Sequence, residues 1–124
     1  MMNLINWQHL NEITGGDTEF QAELFQEFVD QMPDMIRQLQ FALESGDSTT
    51  LGHVAHTIKG SARSIGAEPF AESAHSLEQI GKAGDLSHAS NALQTLEQHW
   101  DALHAYLQNL LRQNAASREV ATEP

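Results

Sequence analysis

The chain has 124 residues, 40% of them hydrophobic, which suits one domain with a buried core and leaves little room for a second. It contains no cysteine, which excludes disulfide scaffolds, thiol catalysis and cysteine-based zinc sites. The formal net charge of −11 disfavours binding to nucleic-acid phosphates or anionic membranes, and no apolar run reaches the roughly 18–20 residues that span a bilayer. The first residues lack the basic and apolar regions of a secretory signal, so we expect a cytoplasmic protein that binds neither nucleic acid nor membrane.

The composition favours helices. There are 15 Ala, 14 Leu and 11 Gln but only 6 Ile and 3 Val, so strong helix formers outnumber the β-branched residues of strands. No β-hairpin signal such as Asn-Gly lies between alternating runs. The sequence therefore predicts an all-α protein.

Turn residues separate the first two predicted helices. A short helix is expected from residue 4 to about residue 13, ended by the Gly15-Gly16 pair. Asp17 is a good N-cap for a second helix of about 25–28 residues. Pro33 lies within it, and we expect a bend rather than a break, because the apolar period continues on both sides. That apolar stripe comprises Phe20, Leu24, Phe28, Met32, Ile36, Leu39 and Leu43.

Three further helices are predicted from the same kinds of turn and cap residues. Gly46 and Asp47 end the second helix and cap the third, which runs to about Gly66. Pro69 suits the first turn of the fourth helix. Asp85 is expected to cap the last helix.

The predicted helices are long and their connections are short, so neighbours must lie antiparallel. The expected architecture is an up-and-down antiparallel four-helix bundle over residues 1–114, with a short N-terminal helix. Residues 115–124 carry no apolar period and are expected to form a flexible C-terminal tail.

The third helix carries an unusual polar face. His56, Lys59, Gly60 and Arg63 follow an i, i+3, i+4, i+7 pattern away from the apolar stripe, so His56 is expected to point toward water. Glycine in an exposed helix interior costs about 1 kcal/mol relative to alanine, which makes sense at Gly60 if a partner must approach closely. On spacing alone, a solvated polar face explains the same residues.

The segment from His56 to Gly66 resembles the acceptor motif of histidine-containing phosphotransfer (HPt) domains of bacterial two-component phosphorelays. The histidine is followed by Ile58, Lys59-Gly60, the small residues Ser61 and Ala62, and Ile65-Gly66, as in that family. Outside the motif, Gly15-Gly16-Asp17, Pro33, Leu77-Glu78 and Gly84-Asp85 extend the resemblance over about residues 4–112.

The resemblance implies a carrier of phosphoryl groups. His56 would accept the group from a receiver-domain aspartate or a hybrid sensor histidine kinase and pass it to a response-regulator receiver aspartate. A neutral imidazole is nucleophilic and needs no dedicated base. Lys59 would neutralise phosphoryl charge, Gly60 would allow the partner's approach, and Arg63 would serve association.

The chain shows no Walker loop, kinase-type glycine loop or carboxylate cluster for Mg²⁺. We therefore expect a carrier that is not an enzyme and has no cofactor of its own, with Mg²⁺ only on the receiver partner. The expected state is a monomer.

Fold-back about the turns predicts the neighbours of His56. Glu78 of the fourth helix comes level with it and can orient the imidazole, although a solvated or salt-bridged Glu78 fits the sequence equally well. Arg37 and Gln38 of the second helix are expected nearby. With Met35, Lys82 and Arg63 they form the predicted partner-binding set.

Two alternatives stay open from the sequence. One is an adaptor bundle that docks a receiver without phosphotransfer. The other, which the apolar inward stripes disfavour, is a metal-binding helical bundle built on pairs such as His53 with His56 and His75 with Glu78.

Overall fold

A computed structural model describes the backbone of residues 3–122 and the side chains of residues 3–114. In that part of the chain the regular structure is entirely helical, which confirms the predicted all-α class. A single 3₁₀ turn over Leu86–His88 precedes the last helix. The helices are α1 (Trp7–Thr14), α2 (Thr18–Glu44), α3 (Ser48–Ser64), α4 (Glu68–Ala83) and α5 (Ala89–Thr122).

Two of the three predicted aspartate caps are confirmed, at the starts of α2 and α3. The side chain of Asp17 accepts hydrogen bonds from the backbone of Glu19 and Phe20, and Asp47 accepts one from Thr50. The prediction for Asp85 was wrong, because its side chain accepts from Ser87 and caps the 3₁₀ turn instead of α5.

The apolar stripes of the helices meet in one core. At its centre, Phe28, Phe70 and Trp100 contact one another with ring centroids 5.9–6.0 Å apart. Phe20 was expected in this core and is 42% exposed. The reason is that Gln21 takes the inward position at this end of α2, where its side chain donates a hydrogen bond of 2.9 Å to Thr14 of α1.

Helices α3 and α4 approach each other most closely at two glycines. A Cβ atom built on Gly81 would lie only 2.6 Å from the backbone of Gly52. The two glycines are at nearly equal sequence distances from the turn at Gly66, so the predicted fold-back is confirmed. This backbone contact sets the spacing between α3 and α4.

The N-terminal segment is held against the bundle by two hydrogen bonds at the start of α1. The backbone N–H of Asn6 donates to the carbonyl oxygen of Gly66 at 2.7 Å. The indole of Trp7 donates to the hydroxyl of Tyr106 on α5 at 3.2 Å. α1 is therefore attached both to the α3–α4 turn and to the last helix.

The C-terminal end differs from the prediction. Helix α5 continues to Thr122, beyond residue 114, where the sequence placed the end of the bundle. No glycine or proline lies between Gly84 and Pro124, and the alanines at 115, 116 and 121 favour helix even without an apolar stripe. Residues 123–124 lie outside the described residues, and the flexibility of this end stays a prediction. Over the described helices, none combines the length and apolarity needed to cross a membrane.

Candidate functional site

His56 lies on the outer surface of α3 near its middle. Ala55 and Ile58 are fully buried on the opposite side of the helix, and this fixes the rotation that turns position 56 outward. The imidazole is 66% exposed, which confirms the expectation that His56 points toward water.

Glu78 of α4 is the polar neighbour of this imidazole. Its side chain is only 2% exposed, and its Oε2 lies 2.7 Å from Nδ1 of His56. Leu77, next to it on α4, is buried in the core. The prediction that Glu78 comes level with His56 is confirmed. Of the alternative, a solvated Glu78 is wrong, whereas a salt-bridged Glu78 is confirmed by the ion pairs with Lys59 and Lys82.

Two lysines compensate the buried carboxylate. Nζ of Lys59, on α3, donates to Oε1 of Glu78 and the Lys59 side chain is 14% exposed. Nζ of Lys82, one turn further along α4, lies 3.2 Å from Oε2, and its side chain is 65% exposed. A buried charge is tolerated only when it is paired in this way. Lys82 therefore belongs to the site itself, although the sequence placed it in the partner-binding set.

These contacts lower the pKa of Glu78 to about 2. The hydrogen bond from Lys59 is the largest cause, burial acts in the opposite direction, and the bonds to His56 and Lys82 add to the lowering. Glu78 is thus ionised throughout the physiological range and can only accept hydrogen bonds.

An ionised Glu78 determines which nitrogen of His56 carries the proton. A carboxylate requires a donor, so Nδ1 of His56 carries the proton. The lone pair of the neutral ring then resides on Nε2, on an exposed side chain. Glu78 thus fixes the orientation of the ring, and Nε2 is the nitrogen that can act as a nucleophile.

Gly60 and Arg63 continue the exposed side of α3. A Cβ atom on Gly60 would meet nothing within 4 Å, so no packing among the described residues requires glycine there. The guanidinium of Arg63 lies 4.0 Å from Glu72 of α4, and both side chains are exposed. Open space at Gly60 agrees with the interpretation that something outside the chain approaches His56.

The described side chains of Arg37 and Gln38 form no hydrogen bond or ion pair with His56, and the expectation that they lie near it stays a prediction. Arg37 and Gln38 both contact Asp34 on their own helix, at 3.3 Å and 3.0 Å. Met35 is partly buried against the core. Arg37 and Gln38 remain exposed on α2, and their role in partner binding stays a prediction.

Sequence reasoning missed a depression beside His56. It has a volume of about 380 Å³ and lies between α3 and α4, over the close approach of the two glycines. The signal was present in the sequence, because Gly52 and Gly81 are glycines inside helices with no turn to explain them. The lining residues are Ser48, Thr49, Gly52, His53, His56, Glu78, Gly81 and Lys82.

The side chains described in this chain do not group as metal ligands. Within residues 3–114, no set of three or more His, Cys, Asp or Glu side chains is arranged to hold a metal ion. The carboxylate of Glu78, which the metal hypothesis required, is instead bound by two lysines.

Comparison with known proteins gives consistent results. The family described as Hpt domain matches residues 23–114. The phosphorelay intermediate protein YPD1 of Saccharomyces cerevisiae is 30% identical over 83 residues, which are 64% of this chain and 50% of that protein. The chain thus spans about half the length of this curated relative. The crystal structure of histidine-containing phosphotransfer protein B (HptB) from Pseudomonas aeruginosa PAO1 superposes with a TM-score of 0.84 at 22% identity, covering 91% of this chain and 98% of the other, which shows a shared fold.

Proposed function

Because the chain belongs to the Hpt domain family, we propose that it is a phosphorelay intermediate with His56 as the phosphoryl acceptor. It takes the group from a receiver-domain aspartate or a histidine kinase and passes it to a response-regulator receiver aspartate. The observation that carries this proposal is the pairing of an exposed imidazole with a buried, ionised carboxylate at 2.7 Å. The name of the yeast relative, a phosphorelay intermediate, supports the same role.

The contact between His56 and Glu78 supports a definite course for the transfer. The lone pair of Nε2 attacks the phosphorus of the partner's aspartyl phosphate. The P–O bond to the aspartate breaks, and the carboxylate leaves with the electron pair. Nδ1 keeps its proton throughout, so the phosphorylated ring is cationic and its charge is balanced by Glu78.

Onward transfer is the reverse of the same step. A receiver carboxylate attacks phosphorus, the N–P bond breaks, and its electron pair returns to Nε2. The proton on Nδ1 makes the imidazole a good leaving group. The ionised Glu78, which accepts the hydrogen bond from that proton, therefore supports phosphoryl transfer both to and from His56.

The cations around Glu78 are suited to the negative charge of the phosphoryl group. Lys59 lies one turn along α3 from His56, and its ammonium group already occupies the site through Glu78. Lys82 approaches the same carboxylate from α4. Gly60 leaves the space through which the partner's phosphoryl group reaches Nε2.

The nucleotide and metal chemistry belongs to the partners under this proposal. The chain acts as a carrier and not as a kinase, and Mg²⁺ is bound by the receiver. Exposed residues at the rim of α3 and α2, such as Arg63, Arg37 and Gln38, bind the receiver, with Met35 at the edge of the surface. We expect a monomer that works in the cytoplasm.

A panel of ³²P-labelled receiver domains tests the function directly. Incubation is expected to move the label onto this chain, in a form that is labile to acid and stable to base, as a phosphohistidine is. Digestion should place it on the peptide that contains His56. If receivers of the panel bind this chain stably and none of them transfers its label, the chain is an adaptor and the proposal is contradicted.

A further inference from the structure

One buried nitrogen near the site has no hydrogen-bond partner. His75 lies on α4, three residues before Glu78, and its side chain is 40% exposed at the surface. Its Nδ1, however, is buried and forms no hydrogen bond among the described side chains. Oε1 of Glu78 lies 3.8 Å from this nitrogen, which is beyond hydrogen-bonding distance.

A buried polar atom without a partner is costly, so its presence requires an explanation. Glu78 is ionised and can only accept, so the nitrogen that faces it is favourable only as an N–H donor. In the structure, Oε1 is already occupied by Lys59, while Oε2 receives His56 and Lys82. His75 is therefore a donor held just outside a position that Lys59 fills.

We propose that His75 is a positioning residue that replaces Lys59 on Oε1 of Glu78 when His56 is phosphorylated. This inference rests on the proposed function, since the phosphoryl group on Nε2 is what attracts Lys59 away from the carboxylate. Lys59 reaches that group from one turn away on α3. The Nδ1–H of His75 then needs to move by less than about 1 Å to come within hydrogen-bonding distance of Oε1.

The exchange keeps Glu78 in place while His56 carries the phosphoryl group. If Lys59 left without replacement, Oε1 would be a buried anionic oxygen with no donor, on a side chain that is 2% exposed. Glu78 would then shift toward its remaining partners or toward water, and the bond to Nδ1 of His56 would weaken. With His75 on Oε1, both oxygens remain occupied and the phosphorylated ring keeps its counter-charge.

The first experiment follows the His75 ring by ¹⁵N-edited NMR before and after phosphorylation with phosphoramidate. This reagent transfers its phosphoryl group to an imidazole nitrogen and releases ammonia, so no partner protein is needed. The expected result is that the Nδ1–H proton of His75 becomes protected from exchange and shifts downfield when the ³¹P signal of phosphohistidine appears. An unchanged His75 signal beside phosphorylated His56 would overturn the proposal.

A Lys59→Ala variant separates this proposal from the function on which it rests. Removal of Lys59 vacates Oε1 without any phosphorylation, so the His75 Nδ1–H signal should shift in the same direction in the unmodified variant. If no receiver of the panel labels His56, the proposed function is contradicted, and the Lys59→Ala spectrum still decides the role of His75. An unshifted His75 signal in that variant would refute the exchange.

Replacement of His75 tests the consequence for transfer. His75→Phe keeps a ring but has no donor, whereas His75→Asn places an amide N–H near the position of Nδ1. The groups that set the charge around Glu78 are His56 and Lys59 from α3 and Lys82 from α4. In the Phe variant, the saturated rate of transfer to a receiver should fall several-fold and its pH profile should change, because the phosphorylated ring of His56 is held less firmly by Glu78.

The Asn variant should restore both the rate and the pH profile. His88→Phe, on the exposed 3₁₀ turn, is the matched control and should leave the profile unchanged. Identical profiles for the Phe and Asn variants would show that His75 has no donor role and would overturn the proposal.

Discussion

Nδ1 of His56 and Oε2 of Glu78 lie 2.7 Å apart although the two residues belong to different helices. One partner is largely exposed and the other almost fully buried, so the site joins a reactive group in solvent to a charge held in the protein interior. This explains how an imidazole on an exposed helix surface has a defined orientation.

Replacement of His56 by glutamine should abolish phosphotransfer and leave the fold intact. The side chain is 66% exposed, and substitutions at the surface usually change the free energy of unfolding by no more than about 0.5 kcal/mol. Circular dichroism and thermal unfolding check the fold, and transfer of label from a phosphorylated receiver checks the activity. His53→Gln is the matched control, one turn away and also exposed. Loss of labelling in the His53 variant alone would show that the wrong acceptor has been identified.

Glu78 should make the stability of the protein depend on pH in the acid range. Its pKa is lowered from an ordinary 4.5 to about 2 in the folded state, so the unfolded chain binds a proton at higher pH than the native protein does. The stabilisation is therefore fully present above about pH 4.5 and is lost as the pH falls toward about 2. At neutral pH, Glu78→Gln should lower the free energy of unfolding by about 1.5–3 kcal/mol, because Lys59 loses its charged acceptor.

Urea unfolding at a series of pH values measures this contribution. The difference between the native protein and the Glu78→Gln variant should be constant near neutrality and shrink between about pH 4.5 and 2. The pKa values of Asp47 and Asp85 are also lowered, by the hydrogen bonds that they accept from Thr50 and Ser87, but both residues are present in both proteins and cancel in the difference. A difference that stays constant down to pH 2 would contradict the low pKa of Glu78.

Alanine substitutions at two helical glycines should have opposite effects. Gly60→Ala should raise the free energy of unfolding by up to about 1 kcal/mol, since a Cβ there meets nothing and the helix gains propensity. Gly81→Ala should lower it by about 1–3 kcal/mol, because its Cβ would overlap the backbone of Gly52. Denaturant titration of both variants makes the comparison.

A larger side chain at position 60 tests the docking role of that glycine. Gly60→Gln should fold normally and slow transfer from a receiver by obstructing its approach to His56. Gly60→Ala serves as the control for helix stability. Unimpaired transfer by the Gln variant would show that the open space at Gly60 has no part in docking.

Lys59 and Arg63 should affect different steps of transfer. Lys59 is one turn from His56 and bound to Glu78, so Lys59→Ala should lower the rate within the complex. Arg63 lies about two turns away, about 10–11 Å along the axis, and its loss should weaken association in a salt-dependent way. Stopped-flow transfer against receiver concentration at low and high salt resolves the two. A lower saturated rate for Arg63→Ala, with only a changed affinity for Lys59→Ala, would invert these roles.

Much of this architecture could be predicted from local sequence signals. Caps such as Asp17 and Asp47 and the glycines that follow the helices are short-range features, so their interpretation needs no tertiary information. The fold-back at Gly66 then places Glu78 beside His56 by simple counting along two antiparallel helices.

Other features depend on contacts that a periodic pattern does not contain. Nothing in the sequence indicates that Lys59 turns inward to Glu78 while Arg37 stays with Asp34, because both are cations on a polar helix side. Phe20 is exposed and its neighbour Gln21 is buried instead, because α1 offers Thr14 as a hydrogen-bond partner to Gln21. The C-terminal end of α5 lies beyond the last residue of its apolar stripe, because no glycine or proline interrupts the helix there.

The glycine contact between α3 and α4 has a consequence for protein engineering. The eleven residues from His56 to Gly66 include the acceptor but neither Gly52 nor Gly81, whose contact sets the spacing of the two helices beside it. A graft of that segment onto an unrelated helical hairpin with larger residues at these two positions would hold the helices further apart, and a carboxylate at the position of Glu78 would no longer reach the imidazole. The portable unit is therefore the hairpin from Ser48 to Lys82, in which the two helices and their contact are transplanted together.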